Sequence, residues 1–205
     1  MTIPENFLTC VIKKNQTKNC EENRRELLKN SLVLGTSLSM APFDAWTQDS
    51  PVNERPRVGD FFTLNDKGPI KPLTPKDIPY GKRQILAWPF DPVTKVIRNG
   101  SRFNHVLLMR FNPSNLKKET LDRSADGVIA YSAICTHAGC EVTDWVEEQT
   151  LALCPCHFTK YDLRDGASVI AGDAPRPLPA LALRIKDGQL EVAKPFTGRI
   201  GFSAT

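Results

Sequence analysis

Alternating hydrophobic and polar residues form a series of short runs from residue 83 onward, and prolines and glycines separate these runs. Asn99-Gly100 and Asp187-Gly188 each lie between two such runs, which predicts a β-hairpin at each dipeptide. A short helix is predicted over 114–126. The pattern therefore predicts an all-β fold of antiparallel strands, with extended segments at 84–88, 94–97, 106–111, 127–132, 181–185 and 189–192.

Two segments of different composition precede this β-rich region. Residues 42–82 are polar and proline-rich, which predicts a linker or an irregular segment packed against the domain, with at most short strands such as Phe61–Leu64. Residues 1–41 contain Arg24 and Arg25 ahead of an apolar stretch, an order that resembles a twin-arginine export leader. The predicted organisation is a leader over 1–41, a linker over 42–82 and a domain over 83–205.

The leader allows more than one interpretation. Ser39-Met40-Ala41 offers the small-residue pattern of a cleavage site, followed by an unfavourable proline. A retained leader that serves as a membrane anchor helix is the alternative, although the apolar run 31–41 is too short to span a bilayer. An ordinary amphipathic helix that happens to contain two arginines is a third interpretation. Export predicts a location in the periplasm or at the periplasmic face of the inner membrane.

The charge balance excludes one class of partner. The chain has 27 Lys and Arg against 23 Asp and Glu, a formal net charge of +4. The basic residues are scattered along the sequence and do not form a stripe, so nucleic-acid binding is not predicted.

The candidate chemistry lies in two short stretches, 135–140 and 154–161, which hold four of the six cysteines and two of the three histidines. Each stretch offers one cysteine and one histidine at close range: Cys135 with His137, and Cys154 with His157. A [2Fe–2S] cluster of mixed ligation needs two thiolates for one iron and two imidazoles for the other. The paired stretches supply this ligand set.

Two other interpretations use the same residues. A Cys2His2 zinc site fits the ligand types, but structural zinc sites usually place at least two residues between paired ligands, whereas one residue separates Cys135 from His137. Two disulfides among the four cysteines are the second alternative. An oxygenase that combines such a cluster with a separate non-haem iron is excluded, because that iron needs two further histidines and this chain has only His105 left.

These stretches resemble those of the Rieske iron–sulfur proteins, and the resemblance covers roughly the last hundred residues. It implies a Rieske-type antiparallel β domain with two cluster-binding loops and one [2Fe–2S] cluster. Cys135 and Cys154 would bind the inner iron, and His137 and His157 would bind the outer iron. The implied function is electron transfer, with no substrate chemistry by the chain itself.

The resemblance also implies roles for residues outside the ligand set. Cys140 and Cys156 would form a disulfide beside the cluster. In the Rieske proteins of quinol-oxidising complexes, a serine and a tyrosine after the second stretch donate hydrogen bonds to cluster or ligand sulfur. The matching positions in this chain are Thr159 and Tyr161.

Three residues depart from the quinol-oxidising pattern. Ala138 stands at the usual leucine, Phe158 at the usual glycine, and Asp173 at the first proline of the covering loop. The run Cys154–Thr159 looks more like the small Rieske subunit of arsenite-oxidase-type molybdenum enzymes. The favoured function is thus an electron relay from a molybdenum-enzyme large subunit to a periplasmic acceptor. A subunit of a quinol–cytochrome c oxidoreductase, with cytochrome b and c partners, and a free-standing carrier are the alternatives.

Overall fold

The computed structural model describes residues 50–202, and these residues are built almost entirely from β-strands and loops. The single α-helix of this region, α1 (Lys118–Leu121), is one turn long. The strands are β1 (Phe61–Thr63), β2 (Ile85–Phe90), β3 (Val106–Arg110), β4 (Val128–Ser132), β5 (Asp144–Val146), β6 (Leu151–Leu153), β7 (Lys160–Asp162), β8 (Ser168–Ala171), β9 (Ala180–Lys186) and β10 (Gln189–Lys194).

Six strands close into a barrel in the order β1-β10-β9-β4-β3-β2, and every neighbouring pair is antiparallel. The other four form a separate antiparallel sheet in the order β5-β6-β7-β8. The prediction of an all-β antiparallel fold is therefore confirmed. The predicted leader, including Cys10, Cys20, Arg24 and Arg25, lies outside the described residues.

The segment predicted as a linker is part of the barrel where the structure describes it. β1 pairs with both β2 and β10 and closes the barrel. Phe62, Leu73 and Ile78 are buried in its core, and the Asp60 carboxylate accepts a hydrogen bond from the buried Arg98 guanidinium at 2.7 Å. The described part of this segment thus packs against the domain, and β1 lies within the short strand predicted at Phe61–Leu64.

The strands β3 and β4 are buried on both faces. Side chains alternate across a strand, so Val106 and Leu108 point into the barrel core while Leu107 and Met109 pack toward the small sheet. The outer face of the barrel is therefore apolar where the small sheet covers it.

The small sheet is an insertion between two neighbouring barrel strands. The chain leaves the barrel at the end of β4 and returns at the start of β9, and Tyr131 and Ala180 are register partners there. Three loops of the insertion lie between strands: 133–143 after β4, 154–159 between β6 and β7, and 172–179 after β8.

The hairpin predictions have opposite outcomes. β9 and β10 pair across Asp187-Gly188, whose φ values of 51° and 76° suit a two-residue hairpin turn, so this hairpin is confirmed. Asn99-Gly100 is not a two-residue hairpin turn, because it lies within the long loop 91–105 that joins the paired strands β2 and β3. The Gly100 N–H donates to the Val52 carbonyl instead.

The helix predicted over 114–126 is also shorter than expected. Only Lys118–Leu121 is α-helical, after a 3₁₀ turn at Pro113–Asn115. Among the residues that the structure describes, none of the helices has the length and hydropathy of a membrane span.

Candidate metal centre

The two cysteine–histidine stretches lie on neighbouring loops of the small sheet. Cys135 and His137 belong to the β4–β5 loop, and Cys154 and His157 to the β6–β7 loop. Both cysteines are buried, with 1% of each residue exposed, whereas His137 is half-buried and His157 is exposed. The loops therefore hold thiols inside and imidazoles at the surface.

Backbone hydrogen bonds fold the first loop back on itself. The Cys135 N–H donates to the Cys140 carbonyl at 2.8 Å, and the Gly139 N–H donates to the Cys135 carbonyl at 3.1 Å. Gly139 has a φ of +75°, a left-handed conformation that glycine adopts without strain. This turn brings His137 to the outer end of the loop.

The second loop is closed by one hydrogen bond across its base, from the Cys154 N–H to the Thr159 carbonyl at 2.9 Å. Phe158 has a φ of +55° in this loop, a conformation that is uncommon for any residue with a bulky side chain. Its ring is 68% exposed beside His157. The chain thus keeps the glycine-like backbone at a position where it carries phenylalanine.

The two imidazoles face each other across the loops. The Nδ1 atoms of His137 and His157 are 3.2 Å apart, and the ring planes meet at 79°. Two nitrogens bound to one tetrahedral ion at about 2.0–2.1 Å would be separated by roughly 3.3–3.4 Å. The spacing of these nitrogens fits two ligands of a single metal ion.

Cys135 and Cys154 lie in a buried environment in which a charged thiolate would need a nearby cation. Burial raises the pKa of the Cys154 thiol, and the neighbouring Cys135 raises it further. An iron ion would offset this penalty, because metal coordination deprotonates a thiol. The environment of these sulfurs thus suits metal-bound thiolates better than free ones.

Cys140 and Cys156 form the predicted disulfide, which joins the two loops. Their sulfurs and that of Cys154 lie within 4.8 Å of one another. Since the disulfide uses both Cys140 and Cys156, this group of three sulfurs is not a ligand set for a metal ion. The interpretation with two disulfides among the four cysteines does not hold, because Cys135 and Cys154 remain free thiols.

Tyr161 reaches the first loop from strand β7. Its hydroxyl lies 3.2 Å from the Cys135 sulfur, and it accepts a long hydrogen bond from the Thr136 N–H at 3.4 Å. The side chain is fully buried, and this burial, followed by the contact with Cys135, raises the pKa of the phenol. The hydroxyl therefore stays protonated and can donate to a sulfur.

Thr159 carries a buried hydroxyl at the base of the second loop. Its Oγ1 is buried and makes no hydrogen bond among the described residues. A buried hydroxyl left unpaired costs about 1–3 kcal/mol. A sulfide or cysteine sulfur of a cluster would be an acceptor for this donor, so the residues present fit a [2Fe–2S] group.

Two contributors to the site were not predicted from the sequence. Thr136 is buried between the ligand candidates, and its Oγ1 donates to the Arg176 carbonyl at 2.6 Å. Gly172 (φ +96°) passes so close to Thr159 that an added Cβ would lie 2.6 Å from its Cα. Thr136 was visible in the sequence as a polar residue inside the first stretch, and Gly172 was visible as the start of the run 172–175 that resembles the covering loop, but the contact of Gly172 with Thr159 was not.

His105 is not part of this centre. Its Nδ1 lies 3.0 Å from a Glu141 carboxylate oxygen, and its ring stacks on Trp88 at a centroid distance of 4.1 Å. The imidazole is thus engaged by other groups at the edge of the barrel, as expected for a residue at the margin of the core.

Comparison with known proteins gives concordant matches. A family model described as the Rieske [2Fe-2S] domain matches residues 113–182. The cytochrome bc1 complex Rieske iron-sulfur subunit of Streptomyces lividans is 36% identical over 135 residues, which cover 64% of this chain and 79% of that protein. The subunit of the same name from Streptomyces coelicolor is 32% identical over 199 residues, or 92% of this chain and 56% of that protein.

A third relative belongs to a different kind of complex. The putative respiratory nitrate reductase subunit Rieske of Haloferax mediterranei is 45% identical over 76 residues, which cover 37% of this chain and 34% of that protein. The chain thus spans little more than half of the Streptomyces coelicolor relative and a third of this one. Because the family model includes both cysteine–histidine loops and the Streptomyces lividans protein is matched over most of its length, the chain belongs to the Rieske family of [2Fe–2S] proteins.

Proposed function

We propose that this chain is a one-electron carrier subunit of a larger redox complex. The four residues that we infer to hold the cluster are Cys135, His137, Cys154 and His157. The observation that carries the proposal is the convergence of two imidazole nitrogens, 3.2 Å apart, on the same two loops that hold two buried free thiols. The bound cluster supplies reversible one-electron chemistry at a raised potential, because two neutral imidazoles replace two thiolates.

The two histidines and the two cysteines of this ligand set differ in their exposure and therefore in their roles. The exposed edges of His137 and His157 offer a partner the shortest route to the centre, whereas the thiols are shielded from water. The disulfide limits separation of the loops, the Tyr161 hydroxyl lies at hydrogen-bond distance from the Cys135 sulfur, and the buried Thr159 hydroxyl has no partner in the part of the chain that the structure describes. These residues orient and tune the centre and do not act on a substrate.

The proposal is tested by the metal content of the full-length protein purified without air. We expect two irons and two labile sulfides per chain, and a Rieske-type electron paramagnetic resonance signal after reduction. Stoichiometric zinc without labile sulfide would contradict the proposal, since a Cys2His2 zinc site uses the same residue types.

Within this function, we infer a relay from a catalytic redox subunit to a periplasmic acceptor. Ala138 and Phe158 border the exposed histidines, and both depart from the quinol-oxidising pattern. Quinol oxidation is the second candidate, because both Streptomyces relatives are named as cytochrome bc1 subunits. A quinone-site inhibitor should leave electron transfer by the native complex unchanged for a relay and should block it for a quinol oxidase.

We also infer export in the folded state by the twin-arginine pathway. A disulfide fits an oxidising compartment, and Arg24-Arg25 provides the export signal. Replacing both arginines with lysine should leave a folded, cluster-bearing protein in the cytoplasm, as measured by cell fractionation. Unchanged accumulation of this variant in the periplasm would refute the inference.

Tyr161→Phe should lower the reduction potential without loss of the cluster. The phenol hydrogen bond is stronger when the sulfur carries more negative charge, so its removal disfavours the reduced state. A hydrogen bond to a charged group contributes about 1.5–3 kcal/mol, and about 1.4 kcal/mol corresponds to roughly 59 mV for one electron. Because both redox states keep part of the bond, a decrease of about 65 mV or less is expected by redox titration.

Thr159→Val is the companion variant to Tyr161→Phe. It keeps the shape of the side chain and removes the hydroxyl, so the potential should shift in the same direction. Unchanged midpoint potentials in both variants would identify Thr159 and Tyr161 as packing residues only.

The double variant Cys140→Ser/Cys156→Ser should retain the cluster but release it more easily on heating. The disulfide closes a loop with a sequence separation of 16 residues, for which chain entropy predicts a contribution of at most about 3 kcal/mol. The measurement is the temperature at which the visible absorption of the cluster is lost. Complete absence of the cluster at low temperature would show that these cysteines have a direct ligand role.

A further inference from the structure

The arginines of this chain divide into two groups. Residues 50–202 contain eleven, and six of these form ion pairs with carboxylates: Arg57, Arg83, Arg98, Arg110, Arg164 and Arg184. The other five, for which the described residues offer no carboxylate at ion-pair distance, are Arg55, Arg102, Arg123, Arg176 and Arg199. The positive charges of these five arginines are therefore not neutralised by any carboxylate of the described residues.

Four of the five unpaired arginines line two surface cavities. Arg123 and Arg176 line a cavity of about 360 Å³, and Arg55 and Arg199 line another of about 470 Å³. Gly198 lines both cavities, so the two adjoin at this residue. We call these two adjoining cavities, with Arg55, Arg123, Arg176 and Arg199, the arginine groove.

The walls between the charges are apolar. Phe103, Phe196 and Phe202 line the larger cavity, and prolines line both. The guanidinium groups of Arg55 and Arg102 stack on the Phe103 ring at 5.3 and 5.1 Å. Among the described residues, Glu119 is the one carboxylate that lines either cavity. The groove thus combines an excess of positive charge with aromatic surface.

The arginine groove adjoins the first cluster-binding loop. The Arg176 carbonyl accepts the hydrogen bond from Thr136, which follows the proposed ligand Cys135. Arg102 donates to the Gly139 carbonyl at 2.5 Å, and the Phe202 ring packs against Gly139. A molecule bound in the groove would therefore lie against residues that hold this loop in place.

We propose that the arginine groove binds an acidic, extended segment of the redox partner. Guanidinium groups form paired hydrogen bonds with carboxylates, and arginine clusters recognise acidic motifs. The phenylalanines and prolines offer surface for apolar side chains between the acidic ones. The identity of the occupant as part of a redox partner rests on the proposed electron-carrier function, whereas its acidic chemistry rests on the groove alone.

The shape of the groove favours a protein segment over a membrane surface. Two of the four arginines, Arg123 and Arg176, are half-buried in the wall of a cavity, where a lipid surface reaches them less readily than the exposed Arg55 and Arg199. A segment with side chains of its own can enter the cavities. Anionic lipid is therefore included in the test as the competing outcome.

The test uses the full-length, cluster-bearing protein and a fluorescent peptide in which Asp and Glu alternate with Pro and Phe. Arg123→Gln/Arg199→Gln should weaken peptide binding about tenfold or more, measured by fluorescence anisotropy, which is about 1.4 kcal/mol or more. Lys67→Gln/Lys76→Gln removes the same charge at exposed residues that line neither cavity, so binding should change less than about twofold. The lysine variant Arg123→Lys/Arg199→Lys should bind with intermediate affinity, because it keeps charge but loses paired hydrogen bonds.

Three results would overturn the proposal. These are equal weakening in the two glutamine variants, absence of peptide binding by the unaltered protein, and arginine-dependent binding of phosphatidylglycerol vesicles in place of the peptide. Unchanged thermal unfolding and cluster absorption of each variant exclude misfolding as the cause. Absence of the paramagnetic signal would end the electron-carrier proposal alone, since peptide binding by the groove requires no electron transfer.

Discussion

His137→Ala and His157→Ala are each expected to abolish the Rieske-type paramagnetic signal of the reduced protein. Each imidazole would supply one of the two neutral ligands of the outer iron, and alanine supplies none. The remaining histidine provides a matched control: His105→Ala should keep the signal, because the His105 ring contacts Glu141 and Trp88 and lies outside the centre. Iron and sulfide content, measured on the same samples, distinguishes cluster loss from an altered signal.

The cysteines extend this test to the other half of the centre. Cys135→Ser and Cys154→Ser should also lose the signal, whereas the disulfide cysteines should tolerate serine. If a disulfide variant lost the cluster while His157→Ala retained it, the proposed ligand set would be wrong.

Gly172→Ala should lower the free energy of unfolding by about 2–5 kcal/mol, the sum of backbone strain of about 1–2 and overpacking of about 1–3. The left-handed φ of +96° disfavours any Cβ, and this Cβ would meet the Thr159 backbone at 2.6 Å. Because Thr159 is the last residue of the second cluster-binding loop, the variant should also carry less iron. Chemical denaturation and iron analysis measure the two effects.

Gly68→Ala is the control for the backbone contribution. Gly68 has a similar φ of +86° but no atom within 4 Å of its added Cβ. Only strain acts there, so a loss of about 1–2 kcal/mol is expected. Equal losses of unfolding free energy at Gly68 and Gly172 would show that Thr159 moves away from the added Cβ without an energetic cost.

The sequence predicted those parts of the fold that depend on near neighbours in the chain. The β9–β10 hairpin forms at Asp187-Gly188 because the turn and both strands lie within one short segment. Asn99-Gly100 carries the same turn signal, yet its backbone and side chain bond to Val52 and Asp66. Contacts with residues distant in sequence override the local preference there, and the sequence pattern does not reveal them.

The small sheet was missed for a different reason. Its four strands have only three or four residues each, which is too few for a two-residue alternation to stand out. The candidate ligands were visible because each cysteine lies within three positions of its histidine. Thr136 and Gly172 contribute through contacts across loops, so a reading along the chain could not assign their roles.

The insertion of the small sheet between paired strands makes the redox unit a separable cassette. Tyr131 and Ala180 are neighbours in the barrel, so the segment between them begins and ends at one point of the barrel wall. Leu107 and Met109, on the outer face of the barrel, pack against apolar side chains of this segment. Natural variation or protein engineering can therefore exchange the cassette while the barrel's strand order and its inner core are preserved.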